Sequence, residues 1–439
     1  MPSFRRCLML ACVLVASVVG CVLFLKDPPP SPEAVATGLD TAKLERLDAL
    51  VHEAVEGKQI AGAVVLLARH GRIGHLKAIG WRDLEAQAPM TTDTLFRLGS
   101  MTKPITSVAV MMLVEEGKLR LDDPVSKFLP EFKNPTVGVP NLFSRSLYVR
   151  PAGREITIRD LLNHTSGLTY RYWDLQPWTT LYRNAGVSDG LNHAPGTSLN
   201  NVRRLARLPL MFQPGTFWGY GLSDDVLGVV VEIISGQDLE TFFRERIFGP
   251  LKMHDTCFYV PQEKQGRLSA LYMPDRHGRV QRIREELGLV SVGEIEFSVT
   301  YPCEKNGQYF SGGAGLVSTA PDYARFLQMM LNGGELDGVR LLRPETVQQM
   351  TSNQIGYLKN YILKYGDGYG YGFGIHTVDG MGLDVSSTGS YSWGGIFQTY
   401  FWVDPKKDLI GVLMVQLFAI GDIPLRQEFK KRAYECLVG

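Results

Sequence analysis

The sequence predicts an α/β protein: an antiparallel sheet built from both ends of the chain, flanked by terminal helices, with a mainly helical lobe inserted between. Three observations carry that prediction. Near the start, "AGAVVLLARHGRIGHLKAIGWRD", Ala61 to Asp83, reads as two strands turning at Gly71. Near the end, "SYSWGGIFQTYFWVDPKKDLIGVLMVQ", Ser390 to Gln416, reads as two more strands joined at "DPKKD". Between them, from about Leu119 to Phe310, short helical periods alternate with long loops rich in proline and glycine. Such a lobe leaves a cleft where it meets the sheet.

The helices follow in order. "TAKLERLDALVHEAVEGKQ" carries Leu44, Leu47, Leu50, Val51 and Val55 at helical spacing, which makes it the first amphipathic helix. A second contains Val108, Met111, Met112 and Val114 and stops at Gly117. In the lobe, "TIRDLLNHTSGL" (Thr157 to Leu168) ends at Gly167, and "DDVLGVVVEIISG" (Asp224 to Gly236) is a further helix. A helix pair follows Ala314, and "IPLRQEFKKRAYECL" closes the chain.

At the other end, Arg5 and Arg6 precede nineteen apolar residues, Cys7 to Leu25, close to the roughly 20 that cross a bilayer as a helix. Three readings stay open: an uncleaved anchor with the body on the far side of the membrane, a lipoprotein cleaved before Cys21, and a secretory signal. The anchor ranks first, because "VLFL" follows Cys21 where a polar tether belongs and no clear small-x-small cleavage site is present. Membrane association through residues 1–26 is thus expected, and in each reading the body is exported, unless the source is a eukaryote and the segment an organelle-targeting one. Residues 27–40, with "DPPPSPEA", read as a proline-rich spacer that no helix crosses, leaving 41–439 as the folded domain.

Composition removes several function classes. A net charge of +1 over 439 residues gives no electrostatic reason to expect nucleic acid as a partner. Of six cysteines, three lie in the apolar segment and three are scattered, so there is no disulfide framework; no Cys-x-x-Cys or His-Glu-x-x-His spacing suggests zinc. No metal or organic cofactor is implied.

The chemistry begins at "FRLGSMTKPIT". Ser100 and Lys103 stand at i and i+3, which puts them on one helix face within reach of each other. Pro104 is tolerated only near a helix start, so Ser100 belongs at or just before the first turn. Free N–H groups there favour a developing negative charge. A serine nucleophile needs a neighbouring base, and a lysine can serve when burial makes its charged form costly. Alone, the pair is weak evidence; it is the only Ser-x-x-Lys of this kind between a hairpin and an apolar helix.

Read with "LFRLGSMTKPITSVAVMMLVEEGKLRLDDPVSKFLPEF", "TIRDLLNHTSGL", "PGTFWGYGLSDDVLGVVVEIISG" and "YSWGGIFQTYFWVDPKKDLIGVLMVQ", the chain from about Thr41 onward resembles the serine β-lactamase-like family. Within it the chain looks most like the esterase branch related to class C β-lactamases and DD-peptidases, the family VIII carboxylesterases. The resemblance implies the serine β-lactamase/DD-peptidase-like fold, Ser100 as the acyl-forming nucleophile, and Lys103 and Tyr220 sharing the base role without fixing which takes the first proton. It implies that Trp393, Gly394 and Gly395 form the third motif on an edge strand facing the cleft. The N–H of Ile396 and that of Ser100 would then make the oxyanion hole.

Two departures bear on substrate. Leu222 stands where the second motif commonly has an asparagine, and Trp393 where the third has a lysine that helps bind carboxylates. Both make the substrate-binding pocket less polar, favouring a small-molecule ester over a β-lactam or peptide. The rivals are a DD-peptidase or D-aminopeptidase, a weak β-lactamase, an acyltransferase, and a non-catalytic scaffold.

Other residues carry blander readings. "GVSDG", Gly186 to Gly190, fits Gly-x-Ser-x-Gly but lacks the strand before it, so Ser188 is a chance match. His164 reads as a helix-end residue supporting the fold. Tyr172, Trp173, Trp178 and Tyr182 read as a wall or lid over the cleft, or a membrane-facing patch.

Overall fold

The computed structural model describes residues 32–438 apart from 142–146, 174, 193–195, 285, 287, 304–306, 361–362, 364–366 and 378–383. The apolar segment Cys7–Leu25 lies outside the described residues. Among those described, no helix is long and apolar enough to cross a membrane.

Part of the expected spacer is folded. Pro32 opens a short helix, α1 (Pro32–Ala36), where its missing N–H costs nothing. Ala34 and Leu39 are buried. Asp40 N–H donates to Cys436 O at 2.8 Å, and Val438 N–H donates to Gly38 O at 2.9 Å. The two ends of the described chain are therefore zipped together, and Asp40 caps α2 (Thr41–Glu56) by accepting from Lys43 N–H at 3.2 Å.

The hairpin forms as its residues require. β1 (Gly62–Arg69) and β2 (Arg72–Asp83) are joined at His70 and Gly71, both with positive φ, 55° and 71°. Such a two-residue turn matches the twist of its strands. β3 (Ala88–Pro89) extends the sheet, and β4 (Phe96–Arg97) leads into the central helix α3 (Thr102–Glu115). α3 is buried continuously from Thr102 to Leu113, as expected of a helix enclosed on all sides.

The lobe contains more strand than its sequence suggested. Besides α4 (Ile158–Leu162), α5 (Trp178–Asn184), α6 (Ser198–Leu205), α7 (Ser223–Ser235) and α8 (Leu239–Phe243), its described residues hold three small hairpins. These are β5–β6 (Thr136–Pro140 with Leu147–Pro151), β7–β8 (Tyr272–Pro274 with Val280–Arg282) and β9–β10 (Leu289–Val292 with Ile295–Ser298). Strands this short carry too few alternations to stand out from loop. α4 starts in a capping box between Thr157 and Asp160, and α7 stops at Gly236, φ 71°.

The chain re-enters the main body through β11 (Val317–Ser318), which pairs with β4. α9 (Ala320–Leu331), the hairpin β12–β13 (Glu335–Leu336 with Val339–Arg340) and α10 (Pro344–Met350) follow. Then come β14 (Asp367–Tyr369), β15 (Gly374–His376), β16 (Tyr391–Gly394), β17 (Tyr400–Asp404), β18 (Leu409–Val415) and α11 (Pro424–Glu435). "DPKKD" joins β17 to β18 as expected, but the same stretch contributes β16 as well. The sheet has eight strands in the order β14-β15-β16-β17-β18-β1-β2-β3, all neighbouring pairs antiparallel.

The centre of this sheet has two apolar faces. Ala63, Val65 and Leu67 of β1 join Leu413 and Val415 in a core with α2 and α11; Val64, Leu66 and Ala68 face α3 and α9. Alternation along one strand thus divides its side chains between two cores, which explains an unbroken apolar run in an antiparallel sheet.

Candidate active site

Ser100 lies in a one-turn helix, Gly99–Met101, that runs directly into α3. Gly99 has φ 54°, and a side chain built there would stand 3.2 Å from Ile396 N. A glycine is needed for that close approach as well as for the backbone angle. The approach brings the loop after β16 against the start of the serine turn, and Thr399 Oγ1 locks it by donating to Leu98 O at 2.8 Å. The N–H groups of Ser100 and Ile396 have no acceptor among the described residues, leaving two donors beside the serine.

Lys103 is 0% exposed. Its Nζ donates to Ser100 Oγ at 3.2 Å and to Gly313 O at 2.7 Å, and lies 4.7 Å from the Tyr220 ring centroid and 5.4 Å from that of Tyr170. Lys103 is thus held by a carbonyl, a hydroxyl and two aromatic faces, without a directly bonded carboxylate.

Tyr220 is nearly buried and positioned from three sides. Trp393 Nε1 donates to its hydroxyl at 3.2 Å, Trp173 Nε1 donates to its carbonyl at 3.0 Å, and Gly219 N–H binds His164 O at 2.9 Å. The His164 ring packs at 4.8 Å from the Tyr220 ring, with Nε2 3.1 Å from Asp224 Oδ2. Burial, with some help from Lys103, lowers the His164 pKa against the pull of Asp224, so the imidazole is neutral at neutral pH. His164 itself has φ 58° and no exposure. It therefore supports the tyrosine turn from below.

Three expectations change. β16 is not an edge strand: it lies between β15 and β17. Its pairing with β15 involves only Tyr391 and Ser392, however, so the ladder ends before Trp393. Leu222, expected to line the substrate pocket, is fully buried in the core just before α7 and offers no surface to a ligand. Replacing a polar group there alters the layer beneath the site. Finally, the aromatic wall is divided. Half-buried Tyr172 stacks on Tyr170 at 4.7 Å and meets Trp173 at 5.0 Å, whereas Trp178 and Tyr182 are core residues of α5.

Trp393 also does more than fill space, because its indole N–H fixes the Tyr220 hydroxyl. Tyr170, Gly313 and Asp225 also surround the cluster and were not singled out from the sequence. The two adjacent acids opening the apolar helix "DDVLGVVVEIIS" and the paired glycines at 312–313 were the available signals. Ser188 sits in the loop after α5 with Oγ 2.5 Å from Asn192 Oδ1, and no strand precedes it.

A sheet of this topology with a helical lobe closing over a serine and a buried lysine defines the class of the chain as an active-site-serine fold. The protein belongs to the β-lactamase family, whose model matches residues 47–428. It is 36% identical over 395 residues to esterase EstB of Burkholderia gladioli, covering 88% of this chain and 93% of that protein. The structure of EstCE1, a hydrolase with promiscuous acyltransferase activity, superposes with a TM-score of 0.76 at 30% identity, covering 91% of this chain and 99% of EstCE1. Simvastatin synthase LovD of Aspergillus terreus gives a TM-score of 0.74 at 25% identity, over 90% and 98% of the two chains.

Proposed function

We infer that the protein is a serine carboxylesterase that cleaves small to medium acyl esters through an acyl-enzyme on Ser100. The observation that carries the assignment of roles is the contact between Lys103 Nζ and Ser100 Oγ, 3.2 Å, in a setting where the lysine is fully buried. Kinship with proteins named as an esterase and a hydrolase supports the reaction class.

In this reading Lys103, in its neutral form, takes the Ser100 proton as Oγ bonds to the ester carbonyl carbon. The N–H groups of Ser100 and Ile396 hold the resulting oxyanion. The proton reaches the leaving alkoxide by way of Tyr220, whose hydroxyl is steadied by Trp393, and the carbon–alkoxide bond breaks. Water then adds to the acyl carbonyl, the Ser100 ester bond breaks, and its proton returns to Oγ, so ester plus water gives acid plus alcohol. Trp393 in place of a cationic residue favours uncharged esters over penicillins. A series of p-nitrophenyl esters, nitrocefin and a fluorophosphonate tests this: ester turnover with a single adduct on Ser100 is expected. Nitrocefin turnover exceeding that of every ester would sink the substrate assignment.

Acyl transfer to an alcohol is a second reading, favoured by the activity in the name of EstCE1. Adding a primary alcohol during ester turnover separates the two by the ratio of new ester to acid. We also propose, on Cys7–Leu25 and the preceding arginines, that the body is exported and tethered to a membrane. Recovery of full-length chain in the soluble fraction without detergent would refute the tether.

A further inference from the structure

We propose that Asp225 is a positioning residue for Lys103, holding the lysine in place through the Ser311–Gly313 segment and biasing its charge across the Gly313 peptide. The inference rests on the serine-enzyme reading of Ser100 and Lys103 and adds a residue that carries no assigned role in it.

Asp225 is 3% exposed and lies in the first turn of α7. Its Oδ1 accepts the Ser311 hydroxyl at 2.6 Å, and Ser311 Oγ in turn accepts from Ala314 N–H at 3.0 Å. Gly313 lies so close that a methyl group added to it would stand 2.5 Å from Asp225 Oδ2. The carboxylate thus gathers the segment from 311 to 314 against α7.

That same segment builds the floor under Lys103. Gly313 O accepts from Lys103 Nζ at 2.7 Å, Gly312 O accepts from Thr106 Oγ1 at 2.7 Å, and Leu316 N–H donates to Thr102 Oγ1 at 3.1 Å. The methyl group imagined on Gly313 would also lie 3.4 Å from Lys103 Nζ, so carboxylate and ammonium are within about 6 Å of each other, a range at which charges shift proton equilibria. Asp225 is thus set close to the lysine without bonding to it, with the Gly313 peptide between them.

The ionisable groups around Asp225 are Lys103 on α3, its neighbour Asp224, Asp189 on the loop after α5, and the hydroxyls of Tyr170, Tyr172 and Tyr309. Burial pushes the Asp225 carboxyl up to about 6, opposed by Ser311 and Lys103. The charge that acts on Lys103 is consequently present at pH 7 and fades on acidification through that value.

The test is the rate of Ser100 phosphonylation by a fluorophosphonate as a function of pH, run beside p-nitrophenyl butyrate hydrolysis. Asp225→Asn keeps an oxygen for Ser311 and removes the charge. The acid limb of its labelling profile is expected to move down by roughly one pH unit, as loss of one nearby charge predicts. Its plateau is expected to fall about tenfold, because a base that gives up its proton more easily is a weaker one. Ser311→Ala loosens the segment and removes the hydrogen bond that holds the Asp225 carboxyl down, so its plateau should fall while the limb moves less than in Asp225→Asn. KM for the ester should change less than kcat in both variants.

Limbs and plateaus matching wild type in both variants would overturn the proposal. So would a loss in Asp225→Asn that merely tracks a lowered melting temperature with no movement of the limb. If Asp225→Asn does not fold, Ser311→Ala with an unchanged plateau overturns it alone. Absent ester turnover with intact labelling would sink the esterase reading while leaving the Asp225 result interpretable.

Discussion

Among the described residues two lysines are buried, and their surroundings differ in one respect. Lys430, on α11, is 7% exposed, donates to Asp384 Oδ2 at 2.8 Å and Ser386 Oγ at 3.1 Å, and lies 5.9 Å from the Trp402 ring centroid. Burial opposes its charge, yet Tyr400 and Asp384 outweigh that and leave its pKa raised; Asp384, which burial would raise, is brought down to about 2 by Lys430 and Ser386. Lys103 has aromatic faces too, but where Lys430 has a carboxylate it has the Gly313 carbonyl and the Ser100 hydroxyl. A lysine bonded to a carboxylate is committed to its proton. One with its counter-charge set behind a peptide can exchange it.

Substituting each lysine by methionine, which conserves most of the volume, should give opposite results. Lys103→Met is expected to lower kcat for p-nitrophenyl butyrate by at least roughly 10³-fold, the scale of a lost general base. A fall in melting temperature without a fall in kcat would make Lys103 a structural lysine like the other.

Lys430→Met should instead leave kcat within about twofold and reduce unfolding free energy by about 2 kcal/mol, since Asp384 loses its partner but is itself partly exposed. Urea titration measures this. Because Asp384 titrates near 2 when folded and near 3.9 when unfolded, the pair's contribution is present above pH ~4 and lost as pH falls toward 2. The gap between wild type and Lys430→Met should therefore close over that window. A gap that widens on acidification would contradict the ion-pair account.

Smaller effects sharpen the contrast on the tyrosine side. Trp393→Phe keeps an aromatic ring but removes the N–H that holds the Tyr220 hydroxyl, and should lower kcat roughly 5- to 10-fold, the value of one hydrogen bond of about 1 kcal/mol. Equal kcat for the two would mean that Trp393 acts as a wall alone. The smallest change belongs to Ser188→Ala: this buried serine has Asn192 and no lysine beside it, so steady-state hydrolysis should alter by less than about twofold.

How much of this could be read from the chain varies by residue. Ser100 and Lys103 are three apart on a helix whose start Pro104 marks, so their neighbourhood follows from helix geometry. Tyr220 and Trp393–Gly395 became visible only through their order in a resembling family. Leu222 was misplaced, because the identity of a residue does not tell whether it faces a cleft or the layer beneath one. Pro32 was read as part of a spacer that no helix crosses, yet proline at a first helical position starts a helix as readily as it stops one.

Local patterns in the sequence were enough to set the hairpin at His70–Gly71, the alternating faces of β1, the helix start at Ser100 and the spacing of serine to lysine. Those features depend on backbone preferences and on residues a few places apart. The condition of the lysine was not available at that range. Gly313 reaches it across 210 residues and Trp393 reaches Tyr220 across 173. Burial, counter-charge and hydrogen-bond partners are sums over segments that meet only when the lobe closes on the sheet. Whether Lys103 resembles Lys430 or differs from it is thus a property of the folded molecule.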